Sequence, residues 1–333
     1  MTAATAPAAL PQAAPKPRQA RWLLRLQRPA LYAWAALLLA LAALLLALRG
    51  PLLDAAAEAW RQYDACRTAR CRYDQAAILR YKDYYNWGTY TLGALPFVVA
   101  AWAGAALTGR ELESGTARLA WTQGSSPARW LTVRLAVPAA VVAVGTSLLF
   151  WLHFVAWTAS RGRIDSAKTW YDGWTFHANG PTTAALSLAG LAAGALAGLL
   201  LRRALPALVL GMAFTLGIRQ LAEQLMPHLW PTVTRLSSLH SDGPAGAGIS
   251  VDQGLVTRSG AHVPLVTCNS QAQCEAALAH AHAVGYFHAY HPYSHYWPLQ
   301  LTTTALILAV TALLVLASFL VLRRSTATPF RPR

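Results

Sequence analysis

Six long apolar runs, separated by polar segments of very unequal size, set the pattern of this chain. They are Pro29 to Leu48, Tyr84 to Gly109, Leu135 to Ser160, Pro181 to Leu201, Ala204 to Ala222 and Pro298 to Leu322. All are uncharged except the fifth, which Pro206 and Arg219 interrupt. A helix rises 1.5 Å per residue, so about 20 apolar residues cross the ~30 Å hydrocarbon core of a bilayer. The pattern therefore predicts spans at about 29–48, 86–108, 131–158, 181–201, 204–222 and 298–322. The expected fold is all-α: a polytopic integral membrane protein with a six-helix transmembrane domain over residues 29–322. The first run has a rival reading as a cleaved signal peptide, with small residues following at Ala55 to Ala57. It is longer than the roughly 7–15 residues of a signal core, which favours an uncleaved first span.

Composition agrees with the pattern. The chain is 55% hydrophobic and 12% charged, against about 25% charged in soluble domains. The net charge of +15 could suit nucleic acid. The basic residues flank apolar runs instead, so the bilayer is the expected partner and nucleic acid is not. Residues 1–28 are expected to form a tail, disordered over residues 1–20 where core-forming residues are almost absent. It is Ala/Pro-rich at first, then carries Arg21, Arg25 and Arg28 between Trp22, Leu23, Leu24 and Leu26. That spacing suits an interfacial amphipathic helix, or a plain basic flank of the first span.

An even number of spans puts both termini on one side. With residues 110–130, Arg134, the Arg202–Arg203 turn and the tail at 323–333, that side carries fifteen Lys and Arg against Glu111 and Glu113 alone. The opposite loops, chiefly 49–83 and 223–297, are nearly balanced in charge. The positive-inside rule makes the basic side the cytoplasm, with both termini there. Cys66, Cys71, Cys268 and Cys274 all fall in the outer loops, where disulfides persist. Four cysteines allow three pairings. Cys66–Cys71 and Cys268–Cys274 each close a short loop and are expected, with free thiols as the alternative.

Other local signals are weaker. Gly190, Gly194 and Gly198 recur every four residues and line one helix face, a device for close helix approach in lipid. Arg219 and Glu223 are spaced to pair across one turn, and His153 reads as a packed residue. His280, His282, His288, His291 and His295 raise the question of a metal site in the outer loop. Their alternation with Ala and Tyr points instead to an aromatic interfacial segment. No phosphate-binding loop, H-E-x-x-H, G-x-S-x-G or C-x-x-C occurs, so an energy source must come from a partner.

The polar stretch 110–130 stands apart. Glu111 to Thr116 opens a short helical segment, Gly124–Ser125 makes a bend, and Ser126–Pro127 is a good start for the third span. The sequence RELESGTARLAWTQGSSPARWLTVRL resembles the segment between the second and third spans of ABC-2-type transporter permeases. The resemblance extends to the six-span layout, the Gly-rich fourth span before Arg202–Arg203, and Tyr290-His291-Pro292 to Trp297 before the last span. The long loop 223–297 departs from the family pattern.

That resemblance implies a bacterial exporter subunit in the plasma membrane. It implies pairing with another permease, as a homodimer or heterodimer, and docking of a cytoplasmic ABC ATPase on a coupling helix. Carried onto this chain, the docking residues would be Glu111, Glu113, Gly115, Thr116 and Arg118. ATP and Mg would sit in the partner, this chain would bind no cofactor and catalyse nothing, and a hydrophobic or amphipathic compound would be exported. Two rivals stand beside it: a membrane-anchored metal-binding protein using the His-rich loop, and a permease-like scaffold or sensor without an ATPase.

Overall fold

The computed structural model describes residues 24–67, 72–123, 126–164, 168–241 and 243–327. Most of the N-terminal tail, Cys71, the Gly124–Ser125 bend, Arg331 and Arg333 lie outside the described residues. The six predicted spans appear as six helices long and apolar enough to cross a membrane. They are α1 (Arg28–Arg49), α3 (Gln75–Trp102), α6 (Pro127–Ser160), α8 (Thr182–Leu201), α9 (Ala204–Leu225) and α11 (Tyr296–Ala327).

Several helices outrun their apolar runs. The charged segment 49–83, expected as a loop, is largely helical: α2 (Pro51–Asp64) follows α1 after a break at Gly50, and α3 begins at Gln75 under an Asp74 cap. Helix α6 has 34 residues, about 50 Å at 1.5 Å per residue, so it projects well beyond the hydrocarbon. Charge marks where a span leaves the lipid, whereas the helix ends where capping and packing end.

Span α8 is the hub. In its apolar stretch 78% is buried, against 17% in those of α1 and α11, and it packs on α3, α6, α9 and α11. Small residues make this possible. A Cβ on Gly190 would run into the Pro96 carbonyl of α3, one on Gly194 into the Ala100 carbonyl, and one on Gly198 into the Thr108 hydroxyl. At the same crossing, a Cβ on Gly211 of α9 would come within 2.8 Å of the Gly194 Cα and 3.2 Å of the Ala100 carbonyl. In lipid, where burial of apolar surface gives no bias between protein and solvent, such backbone-level fit is the main source of helix association.

Toward the end of the bundle opposite residues 110–130 a polar and aromatic layer takes over. His153 is buried between the Thr89 hydroxyl at 2.8 Å and Asn179 Oδ1 at 2.5 Å, as a packed residue should be. The Tyr296 hydroxyl donates to the Asn179 carbonyl at 2.7 Å. Arg219 donates to Glu223 at 2.9 Å, the predicted one-turn pair, and lies 4.0 Å over the Trp174 ring. His177, in the short helix α7 (Gly173–Ala178), is fully buried. Burial first, and the Arg219 charge second, push its imidazole down to about 3. Its approach to Glu223, 3.5 Å, is therefore a neutral contact and not an ion pair at neutral pH.

The long loop holds a small domain of its own. Strands β1 (Val233–Ser238), β2 (Ile249–Thr257), β3 (His262–Pro264) and β4 (Ala283–His291) form an antiparallel sheet in the order β1-β4-β2-β3. Helix α10 (Gln271–His280) starts under a Ser270 cap. The Cys268–Cys274 disulfide pins its first turn, as the loop spacing predicts. His291 Nε2 meets the Pro227 carbonyl at 2.8 Å and ties the sheet to the end of α9. The sheet is an addition to a bundle that is otherwise helical.

Candidate coupling site

The polar elbow between spans α3 and α6 follows directly on the end of the second span. The last turn of the second span, Ala103–Gly109, winds as a π-helix, the wide turn that recurs at functional places in helices. Its tight neighbours explain it. A Cβ on Gly104 would come within 2.6 Å of the Ala207 carbonyl, and Gly109 sits against Arg203 and Ala204. The Thr108 hydroxyl donates to the Ala195 carbonyl of α8 at 3.2 Å.

Beyond it, α4 (Arg110–Glu113) gives way at Ser114–Gly115 to α5 (Thr116–Thr122). The sequence predicted one helical segment opened by Glu111 to Thr116; the structure breaks it in the middle. Gly115 takes φ +75°, a left-handed conformation that a side chain disfavours. The Ser114 and Thr116 hydroxyls lie 3.0 Å apart, and Thr116 donates to the Glu111 carbonyl at 3.2 Å, closing the corner. The third span starts where expected: Ser126 Oγ accepts from the Arg129 N–H at 3.3 Å, with Pro127 in the first turn.

Three links brace the elbow against the spans. Glu111 pairs with Arg134 of α6, and both side chains are largely buried, at 13% and 6% exposure. The Arg134 guanidinium also lies 4.4 Å over the Trp130 ring. The Glu113 carboxylate accepts from the Ala204 N–H at 2.9 Å, capping the start of α9 where the helix dipole favours negative charge. Ala117 is fully buried, and Trp121 meets Trp130 edge to face at 5.7 Å. These pack with Leu112, Leu131, Leu199 and Leu322, so the elbow touches spans three, four and six through its apolar side.

The five residues carried over from the resemblance are thus sorted. Glu111 turns inward, Glu113 lies at the surface with its carboxylate engaged, and Gly115 is half-buried. Thr116 and Arg118 are exposed. Leu119, which sequence reasoning passed over, is 58% exposed on the same outward face. The signal was present: Ala117, Ala120 and Trp121 face inward, while positions 116, 119, 122 and 123 fall on the opposite side of the helix.

The outer-loop histidines do not converge. His262 stacks on Phe287 at 3.9 Å, His288 stacks on Tyr290 at 4.7 Å, and only His291 and His295 approach each other, at 3.1 Å between Nδ1 atoms. Among the described residues no three His, Cys, Asp or Glu side chains gather as a metal site would need.

Six helices long and apolar enough to cross a membrane, two of them joined through a braced polar elbow, define a multi-pass membrane protein. More than half of the chain, residues 35–226, matches the family described as ABC-2 membrane transporter related, and the chain belongs to that family. It is therefore a permease subunit, in a family whose members associate with an ABC ATPase and a membrane. No curated protein and no solved structure matches it.

Proposed function

We propose that this permease is the membrane half of an ATP-driven exporter in the bacterial plasma membrane, with both termini in the cytoplasm. A separate ATPase, holding ATP and Mg, engages the elbow over residues 110–130. The observation that carries this reading is the brace. The elbow's inward face is fastened to the spans by Glu111–Arg134, Glu113–Ala204 and the packing of Ala117 and Trp121, and Thr108–Ala195 holds the turn just before it, while Thr116, Arg118 and Leu119 face outward. A push on that outward face has a stiff route into the bundle. Each nucleotide state of the partner need only favour one arrangement of the spans over another.

A hydrophobic or amphipathic cargo is favoured by an apolar groove of about 240 Å³ between α1, α3 and α6. Trp34, Leu37, Val98, Trp102 and Val142 line it. The permease is expected to work as a dimer with a like subunit.

Affinity purification of the full chain from its host, followed by ATPase assay, tests the proposal. An ATP-hydrolysing partner should co-purify in stoichiometric amount, and Leu119→Asp should reduce its retention about tenfold, the effect of losing one anchoring contact. A cysteine placed at Arg118 should react with an impermeant maleimide only in opened cells. Transport by the chain with no nucleotide-driven partner, or labelling of that cysteine from outside, would overturn the reading.

A further inference from the structure

At the end of the bundle opposite the elbow lies a second cavity, of about 480 Å³. Every residue lining it carries a polar group, although tyrosine rings and lysine stems make up much of its surface. Tyr81, Lys82, Tyr85 and Asn86 supply one wall from two successive turns of α3, Ser160 at the end of α6 supplies another, and the following loop adds Lys168 and Asp172.

Two features of this cavity are costly unless something occupies it. Tyr81 and Tyr85 are only 3% and 4% exposed, yet among the described residues neither hydroxyl has a partner in full hydrogen-bond geometry, the nearest being Ser160 for Tyr81 and Thr175 and Thr89 for Tyr85. A buried hydroxyl without a partner is unfavourable, and phenylalanine would fill the same space without that cost. The second feature is charge. Asp172 is already committed: Oδ1 accepts from the Thr175 N–H at 3.0 Å and Oδ2 lies 3.9 Å from Lys168 Nζ. Lys82 forms no ion pair among the described residues. The lining therefore presents several donors and a net positive charge.

Depth narrows the ligand. Trp87 and Tyr90, both exposed, stand on the same helix at the level where aromatic side chains meet the membrane–water boundary. Lys82 lies five residues beyond Trp87, about 8 Å along the axis. That is within the polar layer, several ångströms thick on each side, where lipid headgroups sit.

We propose that this cavity binds a phosphate group, with Lys82 and Lys168 as its cations and the Tyr81 and Tyr85 hydroxyls as neutral donors. A phosphate offers several acceptor oxygens on one centre and matches a donor-rich pocket of small net charge. Its source is either the headgroup of an outer-leaflet phospholipid or a soluble phosphate compound. The site uses none of the elbow residues and needs no ATPase, so it can fail while the exporter reading stands, and the reverse.

The test uses the purified, delipidated full chain in a neutral maltoside detergent, with binding read by native mass spectrometry. The probes are dihexanoyl phosphatidylglycerol, dihexanoylglycerol as its phosphate-free counterpart, and inorganic phosphate. The phospholipid should bind and dihexanoylglycerol should not. Lys82→Gln with Lys168→Gln should weaken binding at least about tenfold, the loss of a charge-assisted bond. Tyr81→Phe with Tyr85→Phe should weaken it severalfold and leave thermal unfolding unchanged or raised, because among the described residues the hydroxyls removed make no well-formed hydrogen bond. Inorganic phosphate that binds as tightly, with the same sensitivity to both pairs, assigns the site to a soluble phosphate. Failure of every phosphate-bearing probe, binding indifferent to both pairs, or a sharp loss of stability in the phenylalanine pair would overturn the proposal.

Discussion

The Glu111–Arg134 pair is the sharpest place to test the brace. Arg134 is 6% exposed and Glu111 13% exposed, so neither charge can turn to water when the other is removed. Breaking one half of a pair this buried costs about 3–5 kcal/mol, whereas replacing both partners with apolar groups of similar volume is neutral or stabilising. Glu111→Gln and Arg134→Met should therefore each destabilise by about 3 kcal/mol or more, and the double variant Glu111→Leu with Arg134→Met should return close to the parent stability. Tryptophan fluorescence during unfolding in mixed SDS–maltoside micelles measures all three. The molecule supplies its own control. Arg61 and Glu58 form a pair on the exposed face of α2, and Glu58→Gln should change nothing measurable. If Glu111→Gln costs no more than Glu58→Gln, the buried pair holds nothing and the elbow is not braced through it. The double variant carries a second reading. It folds but lacks the directional link between elbow and third span, so ATP hydrolysis by a bound partner should continue while transport falls.

Three further outcomes follow from other parts of the chain. Gly194→Val drives a side chain into the Ala100 carbonyl and the Gly104 N–H and should abolish folded yield, while Gly217→Ala, with open space around it, should stabilise by about 0.5–1 kcal/mol; detergent-resistant yield and melting temperature separate them. Gly115→Ala should cost about 1 kcal/mol because φ is +75° there, and Gly115→Asn less; equal costs in the same unfolding assay would refute the backbone argument. Cys268→Ser with Cys274→Ser opens a loop of sequence separation 6 and should weaken the outer domain by about 2 kcal/mol, seen as faster proteolysis near α10 with the bundle's melting unchanged.

The spans were legible because lipid imposes one rule on every residue they contain. Length and absence of charge sufficed to find them, and Gly190, Gly194 and Gly198 gave away the buried face of α8. The elbow was half legible. Its ends and its capped helix start could be read, but not that Glu111 and Glu113 spend their charge on Arg134 and Ala204, since both partners come from distant segments. The outer domain was missed for a different reason. In β4, Tyr286, His288 and Tyr290 alternate with Phe287, Ala289 and His291, a period of two. Read as a strand, His288 and His291 are sheet residues; read only as alternation with Ala and Tyr, the histidines suggested an aromatic interfacial segment and no sheet. The helical extension over 49–83 was hidden because charge there marks departure from lipid and not the end of a helix.

The geometry also limits how the bundle can move. At Gly190, Gly194 and Gly211 the backbones of α3, α8 and α9 meet with no side chain between them. Sliding any of the three would trade carbonyl-level fit for voids or clashes, and packed interfaces of this kind shift between discrete arrangements and do not deform continuously. The elbow is fastened to α8 and α9 and, through Arg134, to α6. Span α1, by contrast, leans on the bundle through side chains such as Trp34 against Gly145, with little of its apolar stretch buried. A displacement at the elbow should therefore carry α3, α8 and α9 as one body and change their relation to α1. Spin labels at the exposed Val98, Val209 and Leu39 would read this out. The 98–209 distance should stay fixed through a nucleotide cycle of the assembled complex while the 39–209 distance shifts, and equal changes in both would remove the rigid block on which the lever depends.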